Sequence, residues 1–210
     1  MCQFKSALVL KDKIFLPDYD SHDKMLQELG IEDNFTNASK VFVRVELSPA
    51  DGDIFSDVDG WKLKVDQDIL PEWWNEAERL SQLKELVETW MRKHTIYAGE
   101  HEVADGVWLA TGSATVTATG SATVTAFGSA TVRAYDSARV RAADSATVTA
   151  FGSATVTATG SATVRAYGSA TVIMSRAFST DGAIKLNGNS VCVNHKIHTI
   201  KSAIQWKQEE

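Results

Sequence analysis

Cys2 becomes the terminal residue if the initiator methionine is removed, and a terminal cysteine can act as a nucleophile with its own α-amino group as base. Its plainer reading is a small residue that opens a strand. Asp51-x-Asp53-x-x-x-Asp57-x-Asp59-Gly60 gathers four carboxylates in one loop, a donor set suited to calcium. The spacing does not fit an EF-hand, whose twelfth place needs a glutamate, so the run reads as a solvated acidic turn. Cys192, His195 and His198 are zinc-type ligands at three-residue spacing. On a strand that spacing points successive side chains to opposite faces, and a fourth ligand is missing. Neither a metal nor any other cofactor is expected. Arg133, Arg139, Arg141 and Arg165 recur near Tyr135, Phe151 and Tyr167, and aromatics beside arginines suit a protein or nucleic-acid surface. These residues are the candidate binding set. The chain shows no phosphate-binding glycine loop, Ser-His-Asp pattern or paired catalytic carboxylates.

The binding candidates lie in a repeat of strict period eight, and the repeat dictates what positions them. From Gly112 the units read GSATVTAT, GSATVTAF, GSATVRAY, DSARVRAA, DSATVTAF, GSATVTAT, GSATVRAY and GSATVIMS, eight units in all. Within a unit Ala, Val and Ala at places three, five and seven alternate with Ser, Thr and Thr or Arg at places two, four and six. Period-two alternation closed every eight residues by Gly or Asp describes a short strand and a tight turn. One such strand gains roughly 2 to 3 kcal/mol from burying Ala, Val and Ala, too little to offset the ordering of eight residues. The units must therefore stack into a β-solenoid, each strand bonded on both sides.

The variable places decide how many units make one coil. Three units per coil would set Arg141 directly beneath Arg165, whereas two units interleave Arg with Thr on each ladder. Two units also give a thin interior that Ala and Val can fill. The expectation is four two-sided coils of 16 residues, about 19 Å tall, with Tyr135, Phe151 and Tyr167 on one ladder.

Exposed solenoid ends need covers. Upstream, residues 104–111 read as a degenerate unit with Trp108 in the valine place. Downstream, Gly182–Lys201 reads as bulkier strands whose Ile184, Leu186, Val191, Val193, Ile197 and Ile200 form a closing core. The N-terminal part reads as α+β. Phe4–Leu10 and Lys13–Leu16 suggest a hairpin, Ser21–Leu29 a capped helix ending at Gly30, and Val41–Leu47 and Trp61–Val65 two more strands. A longer helix is expected from Pro71 to about His94, its apolar stripe formed by Trp73, Ala77, Leu80, Leu83, Val87, Trp90 and Met91. The fold class is thus an α+β N-terminal domain, a two-sided β-solenoid and a short C-terminal β cap. The expected boundaries are 1–100 for the acidic head, 101–181 for the solenoid and 182–210 for the cap and tail.

Across its 210 residues the chain is 44% hydrophobic and 23% charged, which excludes wholesale disorder, and it has no apolar run long enough to span a membrane. No secretory signal is read at the N-terminus, so a cytoplasmic location is expected. Net charge −6 argues against general nucleic-acid affinity. The charge is uneven: residues 1–100 carry 12 Lys+Arg against 20 Asp+Glu, and residues 101–210 carry 9 against 7.

Together with FKSALVLKDKIFLPDYDSH, FVRVEL and WKLKVDQDILPEWW in the head, the GSATV units resemble uncharacterised octapeptide-repeat proteins of bacteriophages and gut bacteria. The resemblance implies a phage-derived accessory protein acting in the host cytoplasm, with no catalytic residues to carry over. The Thr-x-Thr ladders also resemble the ice-binding faces of some insect solenoids, but the arginines interrupt them. The Met-Cys start resembles that of N-terminal-cysteine enzymes, including proteins that crosslink to abasic DNA, over those two residues only. The leading expectation is a non-enzymatic scaffold that binds a protein partner, a host factor, through the head or solenoid faces. The alternatives are a head-domain enzyme using Cys2, or a single-strand nucleic-acid binder using the arginine and aromatic ladders. Oligomerisation is left open.

Overall fold

A computed structural model describes residues 4–178, 183–194 and 199–202 of the chain. It divides into two compact units, residues 1–93 and 94–210.

The first unit is α+β. Strand β1 (Lys5–Leu10) turns through Lys11–Lys13 into the two-residue strand β2 (Ile14–Phe15), as the hairpin pattern predicts. Ser21 caps α1 (His22–Glu28) by accepting the Lys24 backbone N–H, and Gly30 follows it in the left-handed region at φ 65°. A short helix α2 (Phe35–Ala38), capped by Asn34, precedes β3 (Phe42–Ser48). Strand β4 (Lys62–Val65) completes an antiparallel sheet of order β2-β1-β3-β4. Leu8 and Phe42 on one face pack with Met25 and Leu26 of α1. Alternation sends Lys5, Ala7 and Val9, with their partners Leu47, Val45 and Val43, to the other face.

Helix α3 (Glu76–Lys93) starts five residues later than the sequence suggests. Asn75 accepts the Glu78 N–H at its start, while Pro71 to Trp74 form a turn closed by the Trp74 N–H on the Pro71 carbonyl. Trp73 is therefore off the helix, and its indole N–H donates to the Lys40 carbonyl at 2.7 Å. Of the expected stripe, Leu83, Val87 and Trp90 are buried, Leu80 and Met91 are half-buried, and Ala77 is exposed.

The second unit is the solenoid, with two octapeptides per coil. One face stacks part of β6 (Val107–Ala118) with β8 (Thr131–Ala134), β10 (Thr147–Ala150), β12 (Thr163–Ala166) and β14 (Ala183–Leu186). The other face stacks β7 (Thr123–Ala126), β9 (Arg139–Ala142), β11 (Thr155–Gly160), β13 (Thr171–Phe178) and β15 (Val191–Asn194) on the start of β6, with β16 (Thr199–Ser202) pairing antiparallel as a cap strand. The rungs of the repeats pair in parallel, valine on valine as in Val132↔Val148↔Val164, and the register shifts between Ala158 and Gly160 where β11 meets β13. The inward Ala, Val and Ala of every repeat unit through Val172 are buried.

Two features extend the array beyond the repeats, to about six turns. At the start, β5 (Thr95–Val103) forms a rung before the degenerate unit, which the sequence reading did not foresee. Its His101 stands in the valine place, opposite Val116, and is exposed, so a polar residue closes that core column. Trp108 does occupy the valine place of its unit, opposite Val124, and its ring meets that of His94 at a tilt of 41°, centroids 4.9 Å apart. At the far end Ile184 and Leu186 are buried as expected. Val191 and Val193 are not: register pairs Cys192 with Val172, so Cys192 points inward at 1% exposure and the two valines point out. The parity follows from the Gly188 turn, which makes Cys192 the fifth place of its unit. Ile197 and the side chain of Ile200 lie outside the described residues.

The corners explain the Gly and Asp of place one. Each corner crosses from place eight to place three with a backbone bond such as Ala138 N–H to Tyr135 O, and place one has positive φ. Asp136 and Asp144 adopt φ 55° and 52°, and the Asp136 carboxylate accepts the Gly120 N–H of the coil below. At Gly112 a Cβ would lie 2.6 Å from the Tyr97 carbonyl oxygen, so glycine there serves contact as well as conformation.

Candidate functional site: a cationic face beside an aromatic column

Place eight of each unit ends a rung just before the corner, with its side chain turned outward. On one corner the backbone N–H groups of Tyr135, Phe151 and Tyr167 donate to Ala118, Ala134 and Ala150 of the coil below, each at 2.8 Å. These bonds fix the spacing of the rings. Tyr135 stacks on Phe151 at 4.9 Å and 9°, and Phe151 on Tyr167 at 5.1 Å and 13°, so the expected ladder is present. All three residues are half-buried. Such pairs add about 0.5 to 1.5 kcal/mol each beyond the area they cover.

The arginines divide between the two faces. Arg133 and Arg165 lie on the face that runs into the aromatic corner, two residues before Tyr135 and Tyr167, with Thr149 between them on the ladder. Arg139 and Arg141 lie on the opposite face, Arg139 between Thr123 and Thr155, and Arg141 between Thr125 and Thr157. The interleaving of Arg with Thr that selects the two-unit coil therefore holds throughout the repeats. It stops at the end, where Lys185 pairs directly with Arg165. Both are exposed, and solvent and salt screen the repulsion. Lys185 thus extends the cationic column, a residue the sequence reading missed. Aligning Gly182–Asn187 as a shifted unit, with lysine at place six, would have found it.

The rungs that carry the arginines hold no counter-charge, although their ladder begins with the exposed Glu102 of β5, two rungs before Arg133 by way of Thr117. Among the described residues, Arg133, Arg139, Arg165 and Lys185 form no ion pair with a carboxylate. The rungs β7 to β12 contain no Asp or Glu, and Asp136 and Asp144 sit at corners. Arg133 and Arg165 thus project from a hydrogen-bonded array two coils apart, about 9.6 Å. A base inserted between two neighbouring rings would need about 6.8 Å, twice the base rise of 3.4 Å. The observed spacings of 4.9 and 5.1 Å are too small to admit a base between neighbouring rings.

The remaining candidates separate. Cys2, His195 and His198 lie outside the described residues, and Cys192 is a core residue. In the acidic loop, Asp51 accepts the Asp53 N–H, Asp53 the Phe55 N–H and Asp57 the Asp59 N–H, each at 3.0 Å. These carboxylates fold the turn.

The architecture defines the class of the molecule: a two-sided parallel β-solenoid joined to a small α+β head. Comparison with protein-family models, curated proteins and solved structures gives no match.

Proposed function

We propose that this chain is a non-enzymatic interaction scaffold whose solenoid offers a cationic, aromatic-edged face to an acidic protein surface. The observation that carries the reading is the pair Arg133 and Arg165, without carboxylate partners among the described residues, beside the stacked column of Tyr135, Phe151 and Tyr167. Arginine and tyrosine on a pre-ordered surface lose little entropy on binding and are the residue types that dominate protein interfaces. The likeness to octapeptide-repeat phage proteins is in keeping with an accessory protein whose partner is a host factor in the host cytoplasm.

The test is capture from host lysate with three baits: the natural chain, Arg133→Glu/Arg165→Glu, and Arg139→Glu on the opposite face. The expected result is an acidic partner retained by the natural chain and by Arg139→Glu, released by added salt, and lost with the double variant. Capture that ignores the double variant, or no specific capture, overturns the reading.

A further inference from the structure

The head is acidic, yet four cations converge around its β1–β2 loop. Lys11 and Lys13 are on the loop, Lys40 precedes β3, and Arg79 reaches across from α3 to donate to the Lys11 carbonyl at 2.8 Å. Two cavities adjoin there and share Asp12 and Lys13. One, about 420 Å³, is lined by Lys13, Ile14, Arg79 and Leu86 among others, and the second, about 480 Å³, by Lys11, Lys13 and Lys40. Lys11, Lys13 and Lys40 are exposed and form no ion pair among the described residues. Asp12 and Glu85 supply the only carboxylates in the two linings, leaving the cations in excess.

Two further observations indicate what fits. Arg79 spends Nη1 on Gln82 and Nη2 on Lys11, but its buried Nε has no partner, the only such side-chain atom among the described residues. A buried donor left unsatisfied is costly, and it leaves the positive charge of Arg79 at the cavity wall without a carboxylate among the described residues. In addition, β2 is an edge of its sheet, with no strand beyond it among the described residues. Facing the cavity, Arg79, Gln82, Leu86 and Thr89 follow one another along α3. They span about 15 Å, the length of four to five extended residues. Leu86 is 37% exposed there, an apolar contact beside Ile14.

We infer that this groove docks an extended acidic peptide segment of a partner protein. Its backbone lies along the free edge of β2, an apolar side chain sits between Ile14 and Leu86, and carboxylates meet Arg79 and the three lysines. This surface is built from head residues alone, and the inference does not rest on the proposed solenoid face.

The experiment uses the full chain and a fluorescein-labelled octapeptide of alternating Glu and Val, read by anisotropy. An alternating Lys and Val peptide and a twelve-residue oligothymidylate serve as competitors. The expected result is binding of the acidic peptide that neither competitor displaces. Lys13→Glu/Lys40→Glu, both exposed and checked for folding by circular dichroism, should weaken it at least about tenfold. Arg133→Glu/Arg165→Glu should leave it unchanged. No binding of the acidic peptide, displacement by either competitor, or loss only with the solenoid variant overturns the inference. The last outcome would leave the solenoid reading standing.

Discussion

In the head, most buried or bridging cations have a carboxylate. Lys5, 1% exposed, lies 3.1 Å from Asp20 and 4.8 Å from the Trp90 ring, Arg44 meets Asp33, and Lys64 bridges Glu46 and Asp66. In the solenoid, Arg133, Arg139 and Arg165 are flanked by threonines and solvent instead, and Lys185 by Arg165 and solvent. The cores differ in the same sense. The head interlocks Phe42, Met25, Leu8 and Leu26, brought together from distant parts of the chain, whereas the solenoid repeats Ala and Val on one register. Charge in the head serves mainly its own fold. On the solenoid the fold is complete without the charges, which frees them for something else.

The sharpest way to break that contrast is Val148→Asp, a carboxylate in the middle of the inner column. It should cost about 4 kcal/mol or more, since the column has no partner for a buried charge. Urea unfolding followed by fluorescence, with four of the six tryptophans in residues 1–93, should show the solenoid transition falling while the head transition holds. A joint shift would make the two units one cooperative block.

Lys5→Ala probes the head's side of the comparison. It removes both the ion pair to Asp20 and the stem packed on Trp90 and should cost about 3 kcal/mol, of which Lys5→Met, which restores the stem alone, should recover the packing part in chemical denaturation. Equal losses would mean that the charge matters rather than the packing.

Phe151→Ala removes the middle ring of the column and both of its stacks. A loss of about 2 kcal/mol is expected, confined to the solenoid transition. Because β10 is held by backbone bonds on both sides, circular dichroism should keep its native strand signal.

The smallest effect concerns Tyr19, whose pKa is pushed up to about 12 by desolvation and by its hydrogen bond to Glu28. The unfolded phenol ionises near pH 10 and the folded one later, so this contribution is fully present below pH 10 and lost as pH rises toward 12. Lys64, raised by its bonds to Glu46 and Asp66, acts in the same direction. A titration of phenolate absorbance should show one tyrosine ionising late, and Tyr19→Phe should remove it.

The period-eight alternation determined the solenoid, and the arginines and aromatics at its variable places determined the two-unit coil and the aromatic column, because identical units stacked in parallel have their register in their own repetition. Ser21, Gly30 and the β-branched run at 41–47 likewise marked α1 and β3 through local capping and strand preference. Where the repeat decays, local reading failed: β5 lacks the motif, Asn75 rather than Pro71 starts α3, and register, not hydrophobicity, turned Cys192 inward past Val191 and Val193. Only the tertiary structure decided which cations have partners. Asp20 reaches Lys5 from 15 residues away, and Arg79 reaches Lys11 across 68. A charge's partner is a neighbour in space, and outside the repeats the linear sequence carries no period from which that neighbour could be read.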